Sequence, residues 1–243
     1  MNYVALGDSY SSGVGAGDYE ATDAGCKRSA NAYSQRWIKE FSEEAVTNFT
    51  FVACSGATTA DVESKQLSSL SAETTMVTMS IGGNDVGFAP VIAQCLVTNL
   101  YTDNLCIAST LAAGVRAQSS MPAKLDALYK KIRDRAPNAR IFILGYPHIF
   151  QVGDCGAIGL SSLARAAINR STSQLNEVIR KAATTNGFTF VDGEQTFAGR
   201  GVCSTAPGGA WLTDSSAGID LYHPNRDGHE AYAVALDAAV RGF

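Results

Sequence analysis

Ser9 sits in Gly7-Asp8-Ser9-Tyr10, directly after a short apolar run, and His223 closes Asp220-Leu221-Tyr222-His223 near the other end of the chain. A serine hydroxyl is a weak nucleophile until a base takes its proton, and histidine suits that task at neutral pH. An acid three positions before the histidine can hold the ring and stabilise the imidazolium that forms. Ser9, His223 and Asp220 are thus the parts of a nucleophilic hydrolase, with Asp220 expected to complete a triad. Pro224 disfavours helical backbone at His223, which places the acid and the base on a loop.

Acyl transfer also needs hydrogen-bond donors aimed at the oxyanion of the tetrahedral intermediate. Three are available: the Ser9 N–H, the Gly56 N–H in Cys54-Ser55-Gly56-Ala57-Thr58, and the Asn84 amide in Ile81-Gly82-Gly83-Asn84-Asp85. Glycine at 56 lets backbone approach a substrate closely. Asn84 donates without carrying charge. Asp8 and Asp85 read as structural acids that bind the backbone of these turns. His229 falls on the helical face of Tyr232, Ala233, Leu236 and Val240 and reads as a packed histidine. His148 follows a strand and is expected near the site, but no neighbouring acid supports it as the base. Tyr10, Phe88, Tyr146 and Trp211 read first as packing aromatics and second as acyl-pocket walls.

These turns must be carried by a scaffold that brings distant residues together. Short apolar, β-branched or aromatic runs at 3–6, 49–53, 76–81, 141–145 and 188–191 are predicted strands. Helical patterns fill the gaps at 30–41, from 59, at 111–135, 160–183 and 226–240. Alternating β and α predicts one doubly wound parallel sheet. In a 2-1-3-4-5 order the turns after strands one, two and three are neighbours at the carboxyl edge, where such sheets bind ligands. Residues 87–108 and 193–219 show no periodicity and are expected as irregular walls of a cleft.

The chain has 243 residues, 46% hydrophobic and only 17% charged, with a net charge of −4 and no basic block. A nucleic-acid or anionic-membrane partner is disfavoured, because phosphate binding needs clustered Lys and Arg. No apolar run approaches the about 20 residues of a membrane span. The chain begins almost inside its first strand and is expected to be a mature form without a signal segment. The six cysteines form no CxxC and do not cluster with the three histidines, so no zinc site is expected. An even count predicts disulfides and an oxidising compartment. Among the many possible pairings the sequential set, Cys26–Cys54, Cys95–Cys106 and Cys155–Cys203, is favoured. Asn48 and Asn169 head glycosylation sequons.

Ser9, Gly56, Asn84 and His223 stand in the order and contexts of the four blocks that name the SGNH, or GDSL, hydrolases, which this chain resembles from residue 5 to about 232. The first block is GDSY rather than GDSL. The cysteine layout and the IGGNDVGF block look like the secreted esterase/lipase branch of actinomycetes and fungi. The resemblance implies a single α/β domain over residues 1–243, a three-layer αβα sandwich with a flavodoxin-like five-stranded parallel sheet. It implies ester hydrolysis without metal or organic cofactor. Some relatives lack the acid and orient the histidine with a backbone carbonyl; Asp220 leads us to expect the full triad. The substrate is expected to be a small-molecule, lipid or acylated-sugar ester, and the protein a secreted monomer. Small acyl groups are expected, because both cleft walls are rich in Gly, Ser, Thr and Asn, although Phe88, Tyr101 and Trp211 offer a modest apolar patch. A lipase or phospholipase, a polysaccharide deacetylase, and a non-catalytic carbohydrate-binding module are the alternatives.

Overall fold

A computed structural model of the chain describes residues 1–42, 44–97, 103–151, 155 and 160–242. Among them, β1 (Asn2–Gly7), β2 (Asn48–Phe51), β3 (Met76–Ser80), β4 (Arg140–Leu144) and β5 (Thr189–Val191) form one parallel sheet in the order β2-β1-β3-β4-β5. This is the flavodoxin-like order. β3 is buried at every position, and β1 and β4 at all but the first. Both faces of these strands are covered, which is why they read as unbroken apolar runs. The outer strands β2 and β5 are only partly buried.

The helices are α1 (Ser9–Ser12), α2 (Tyr33–Trp37, continued by a π turn at Ile38–Ser42), α3 (Thr59–Asp61), α4 (Phe88–Val97), α5 (Asp103–Ser119), α6 (Met121–Arg135), α7 (Ser162–Thr185), α8 (Gly193–Thr196) and α9 (Arg226–Arg241). α2 packs on α9, while α5 packs on α4, α6 and α7. Trp37 is fully buried and meets the Tyr3 ring of β1 edge-on at 5.7 Å. α7 is capped by Ser161, whose hydroxyl accepts from Ala164 N–H at 3.1 Å. Its buried Ala164, Ile168, Leu175, Ile179 and Ala183 recur at intervals of four or seven residues, the spacing of one helix face. No helix among the described residues is long and apolar enough to cross a membrane.

Three expectations change. Residues 193–219 were expected to be irregular, yet they begin with α8 and end in a 3-10 turn at Ser215–Asp220. Residues 87–108 were expected to be irregular, yet α4 and the start of α5 are helical. The run Phe88-Ala-Pro-Val-Ile-Ala-Gln-Cys-Leu-Val hides its period because it is apolar almost all round. Val91 and Ile92 are buried against the core, so the run has no polar stripe to mark a helix. Tyr101 lies outside the described residues. The helix predicted over 111–135 is two helices, broken at Ser120 with Pro122 near the start of α6, where its missing N–H costs nothing.

The disulfides pair Cys26–Cys54, Cys95–Cys106 and Cys155–Cys203. The first joins the loop after β1 to the turn after β2 across 28 residues. Replacing Cys26 and Cys54 together with serine is expected to lower the unfolding free energy by roughly 3–4 kcal/mol, read as a shifted urea midpoint. An unchanged midpoint would mean that the bridge adds nothing to stability. The sequon at Asn169 cannot be used in the folded chain. The residue is 9% exposed, and its side chain donates to Phe150 O at 2.7 Å and accepts from Phe150 N–H at 3.2 Å.

Candidate active site

The turns after β1, β2 and β3 converge at the carboxyl edge, at the point where strand order reverses. Gly7 has φ +123°, and a Cβ there would lie 2.5 Å from Ser80 O. Only glycine lets β1 approach β3 so closely while turning. Gln66 spans the turn, accepting from Gly7 N–H at 2.7 Å and donating to Gly7 O at 2.9 Å. Asp8 then caps α1 by accepting from Tyr10 N–H at 3.1 Å, and Ser9 is the first residue of α1.

Ser9 Oγ lies 2.8 Å from His223 Nε2, and His223 Nδ1 lies 2.9 Å from Leu221 O. A carbonyl only accepts, so the Nδ1 proton must be present and Nε2 carries the lone pair that faces the serine hydroxyl. Burial holds the His223 imidazole below its ordinary value, opposed by the hydrogen bond to Leu221 and by the Asp220 backbone and charge. The ring is therefore neutral at neutral pH and able to accept a proton. The loop is fixed from several sides. Tyr222 takes φ +60°, which turns the Leu221 carbonyl back toward the ring. Tyr222 O accepts from Tyr10 OH at 2.7 Å, and the Tyr10 and His223 rings lie 5.1 Å apart. Thr213 Oγ1 accepts from His223 N–H at 3.1 Å.

Asp220 does not complete a triad through its side chain. Its carboxylate accepts from Tyr19 OH at 2.7 Å and pairs with the Lys27 ammonium. Burial would raise its pKa, but the hydrogen bonds from Lys27 and Tyr19 outweigh it and hold the carboxyl below the usual range. The physical reason is the left-handed Tyr222: the turn delivers a main-chain oxygen to Nδ1 and sends the acid to the Tyr19–Lys27 loop.

Ser9, Gly56 and Asn84 line one cavity with His223. Gly56 has φ +80°, the left-handed region that favours glycine. The Asn84 amide donates one N–H to Ala57 O at 2.9 Å, which orients it and leaves its second N–H. No hydrogen bond from Ser9 N–H or Gly56 N–H occurs within the described residues. The acids beside these turns are structural. Asp85 accepts from Thr59 N–H at 2.8 Å and Thr59 OH at 2.7 Å and pairs with Lys124 at 3.1 Å. Asp8 accepts from Ser80 OH at 2.7 Å and from Tyr146 OH, and Tyr146 OH accepts from Gly83 N–H at 3.0 Å. Burial raises the Asp8 carboxyl to about 6 against these hydrogen bonds.

The cavity has a volume of about 310 Å³, and Val86, Phe88, Ile92, Ile149, Leu175 and Leu221 form an apolar wall leading from the serine. Tyr10 and Tyr146 line it too, whereas Trp211 packs edge-on against Phe197 and under Arg200. His229 is fully buried, accepts from Tyr33 N–H at 3.2 Å, and is pulled down to about 3 by burial. His148 does have an acid beside it: Glu194 lies 3.0 Å from Nε2, with Ser173 Oγ at 2.8 Å. That acid comes from α8, so no local spacing announced it. Sequence reasoning also missed the Leu221 carbonyl, Tyr19 and Lys27. A carbonyl has no residue signature, and the other two are single loop residues without a pattern.

The chain matches the model of the GDSL-like Lipase/Acylhydrolase family over residues 5–231. It is 42% identical over 241 residues to a lipase of Streptomyces rimosus, covering 98% of this chain and 87% of that one. Its structure superposes on an extracellular lipase from Streptomyces rimosus with a TM-score of 0.91 at 41% identity, covering 98% and 99% of the two chains. A phospholipase A1 from Streptomyces albidoflavus NA297 gives a TM-score of 0.90 at 40% identity, covering 98% of each chain.

Proposed function

Because the chain belongs to the GDSL-like lipase/acylhydrolase family and is a carboxylic ester hydrolase, we propose that one domain over residues 1–243 does this chemistry with Ser9 and His223. Ser9 Oγ attacks the ester carbonyl carbon while its proton passes to His223 Nε2. The oxyanion that forms is held by Ser9 N–H, Gly56 N–H and the free N–H of Asn84. Collapse breaks the ester C–O bond, and the leaving alkoxide takes the proton from Nε2, giving an acyl-enzyme and an alcohol. Water then gives a proton to Nε2 as it attacks the acyl carbon. That proton returns to Ser9 Oγ when the carboxylic acid leaves. The Leu221 carbonyl fixes the tautomer throughout, in the place of a side-chain acid.

The acyl group is longer than the composition of residues 87–108 and 193–219 suggests, for no described residue of 193–219 lines the cavity and the part of 87–108 that does is apolar. The observation that carries this reading is the apolar wall from Val86 to Leu221, which starts at the serine and offers a carbohydrate few polar partners. The α4 part of that wall is helical and is tied to α5 by Cys95–Cys106, so it suits an extended chain rather than a wide polar sugar. The names of the relatives, lipase and phospholipase A1, agree with lipid esters. The three disulfides suit an oxidising compartment and the Streptomyces rimosus relative is extracellular, which supports the reading of a secreted protein.

The test is kcat/KM for aryl esters of rising acyl length. Each methylene that enters the cavity adds about 0.8 kcal/mol, so kcat/KM should climb by up to about fourfold per methylene until the cavity is full. A maximum at acetate, with faster release of acetyl groups from acetylated sugars, would overturn the longer-acyl reading and favour a deacetylase.

A further inference from the structure

Asp220 holds a place that the mechanism above does not use, and its partners lead to the opposite side of the site. Its carboxylate accepts from Tyr19 OH at 2.7 Å, and the same hydroxyl accepts from Gly15 N–H at 2.9 Å. Gly15 lies under the histidine loop: a Cβ there would sit 2.5 Å from Pro224 O and 3.1 Å from His223 Cβ. On its other oxygen Asp220 holds the Lys27 ammonium, which also lies 5.6 Å from the Tyr19 ring centre. Lys27 follows Cys26, whose sulfur is bonded to Cys54 and whose carbonyl accepts from Ser55 N–H at 3.0 Å. The next residue is Gly56. Lys27 takes φ +49°, a conformation that a side chain with a beta carbon adopts only when its surroundings hold it there.

A continuous path of bonds therefore runs from the histidine loop through Asp220, Lys27 and the Cys26–Cys54 bridge to the oxyanion turn. The two charged side chains are only 20% and 21% exposed, so water screens them less than a surface pair. Both act on the ring: the Asp220 charge favours imidazolium and the Lys27 charge opposes it. The other titratable groups facing this region are Tyr10 against the ring, Tyr19 on Asp220, and His229, which burial keeps neutral.

We infer that Lys27 and Asp220 are a matched pair of positioning residues, which hold the catalytic histidine loop in register with the oxyanion turn while their opposite charges balance at the His223 ring. This rests on His223 being the base. Burial is the main reason the ring stays neutral, and the lysine offsets the pull of the Asp220 carboxylate on it. A matched pair explains why the lysine is there, since nothing in the hydrolysis itself calls for it.

The test compares Asp220→Asn, Lys27→Met and the double variant by the pH profile of kcat/KM on an aryl ester, with thermal melting to confirm folding. Losing the carboxylate lowers the His223 pKa, so the acid limb of Asp220→Asn should move to lower pH by roughly 0.5–1 unit. Losing the ammonium raises it, so the acid limb of Lys27→Met should move to higher pH by a similar amount. The double variant should return close to the parent limb. Each single variant should lose about three- to tenfold in kcat with KM little changed, the double no more than the worse single, and Lys27→Arg should restore most of it. Limbs that stay put, or move in the same direction, would overturn the inference. If Asp220→Asn does not fold, the direction of the Lys27→Met limb and the arginine rescue decide. His223→Ala separates the two readings. If it stays active, the base assignment fails; if it is inactive while the limbs do not move, only the paired-charge inference fails.

Discussion

Ser9→Ala and His223→Ala are each expected to lose roughly 10⁴–10⁶-fold in kcat, the loss seen when members of a catalytic unit are removed one at a time. The size follows from the geometry. Ser9 Oγ has His223 Nε2 at 2.8 Å, and behind the ring stands a carbonyl at 2.9 Å rather than a carboxylate. The nearby acids are engaged elsewhere, Asp220 by Tyr19 and Lys27 and Asp8 by Ser80 and Tyr146, so neither takes over the proton if the imidazole is removed. Both variants should stay folded. Ser9 gives up only a hydroxyl, and the loop around position 223 keeps the Thr213 and Tyr10 hydrogen bonds to its backbone. The double variant should be no worse than either single one. Single-turnover hydrolysis of an activated aryl ester, with melting curves alongside, measures this. More than about one per cent of parental kcat in folded His223→Ala would remove His223 from its role. The sign of the pH dependence follows as well. The active form is neutral His223, so activity is lost as pH falls through its pKa, and burial places that limb below the ordinary imidazole range.

Asn84→Ala is expected to lower kcat by about 10²–10³-fold, equivalent to roughly 2.7–4 kcal/mol of transition-state stabilisation. The amide is already oriented in the free enzyme by its 2.9 Å bond to Ala57 O, so no reorganisation is needed when charge develops on the substrate oxygen. A ground-state ester carbonyl is a much weaker acceptor than an oxyanion. KM should therefore change little while kcat falls. An effect confined to KM would mark uniform binding and take Asn84 out of the oxyanion hole.

The sequence showed most of what is written in side chains. The apolar runs of β1, β3 and β4 announced a buried parallel sheet. Three glycine-bearing turns at strand ends converge in a 2-1-3-4-5 order; the alternation of β and α announced only the parallel sheet, and the order came from the family resemblance. The features it hid belong to the backbone or to distant partners. The Leu221 carbonyl is indistinguishable in sequence from any other carbonyl. Tyr222 at φ +60° gives no warning, since left-handed backbone is looked for at glycine or asparagine. With the turn unseen, an acid at position 220 naturally reads as the partner of a histidine at 223. Glu194 beside His148 depends on α8 folding back against α7, a tertiary contact with no local pattern. The helix α4 was hidden by its composition, for a run that is apolar almost all round has no polar stripe to reveal its period.

The order of the disulfides has a consequence for how the chain fails. Each bridge closes before the next opens: 26 to 54, 95 to 106, 155 to 203. No covalent link thus spans residues 55–94 or 107–154. A protease that nicks the exposed turn at 71–73 or at 137–138 leaves nucleophile and base on separate polypeptides, joined only by sheet pairing and helix packing. A nick inside a bridged loop leaves one connected molecule. Cleavage at the first kind of site should pass unnoticed while the fold holds, and then make the first unfolding event irreversible, because the halves diffuse apart. The lifetime of the nicked enzyme would be set by dilution as much as by temperature.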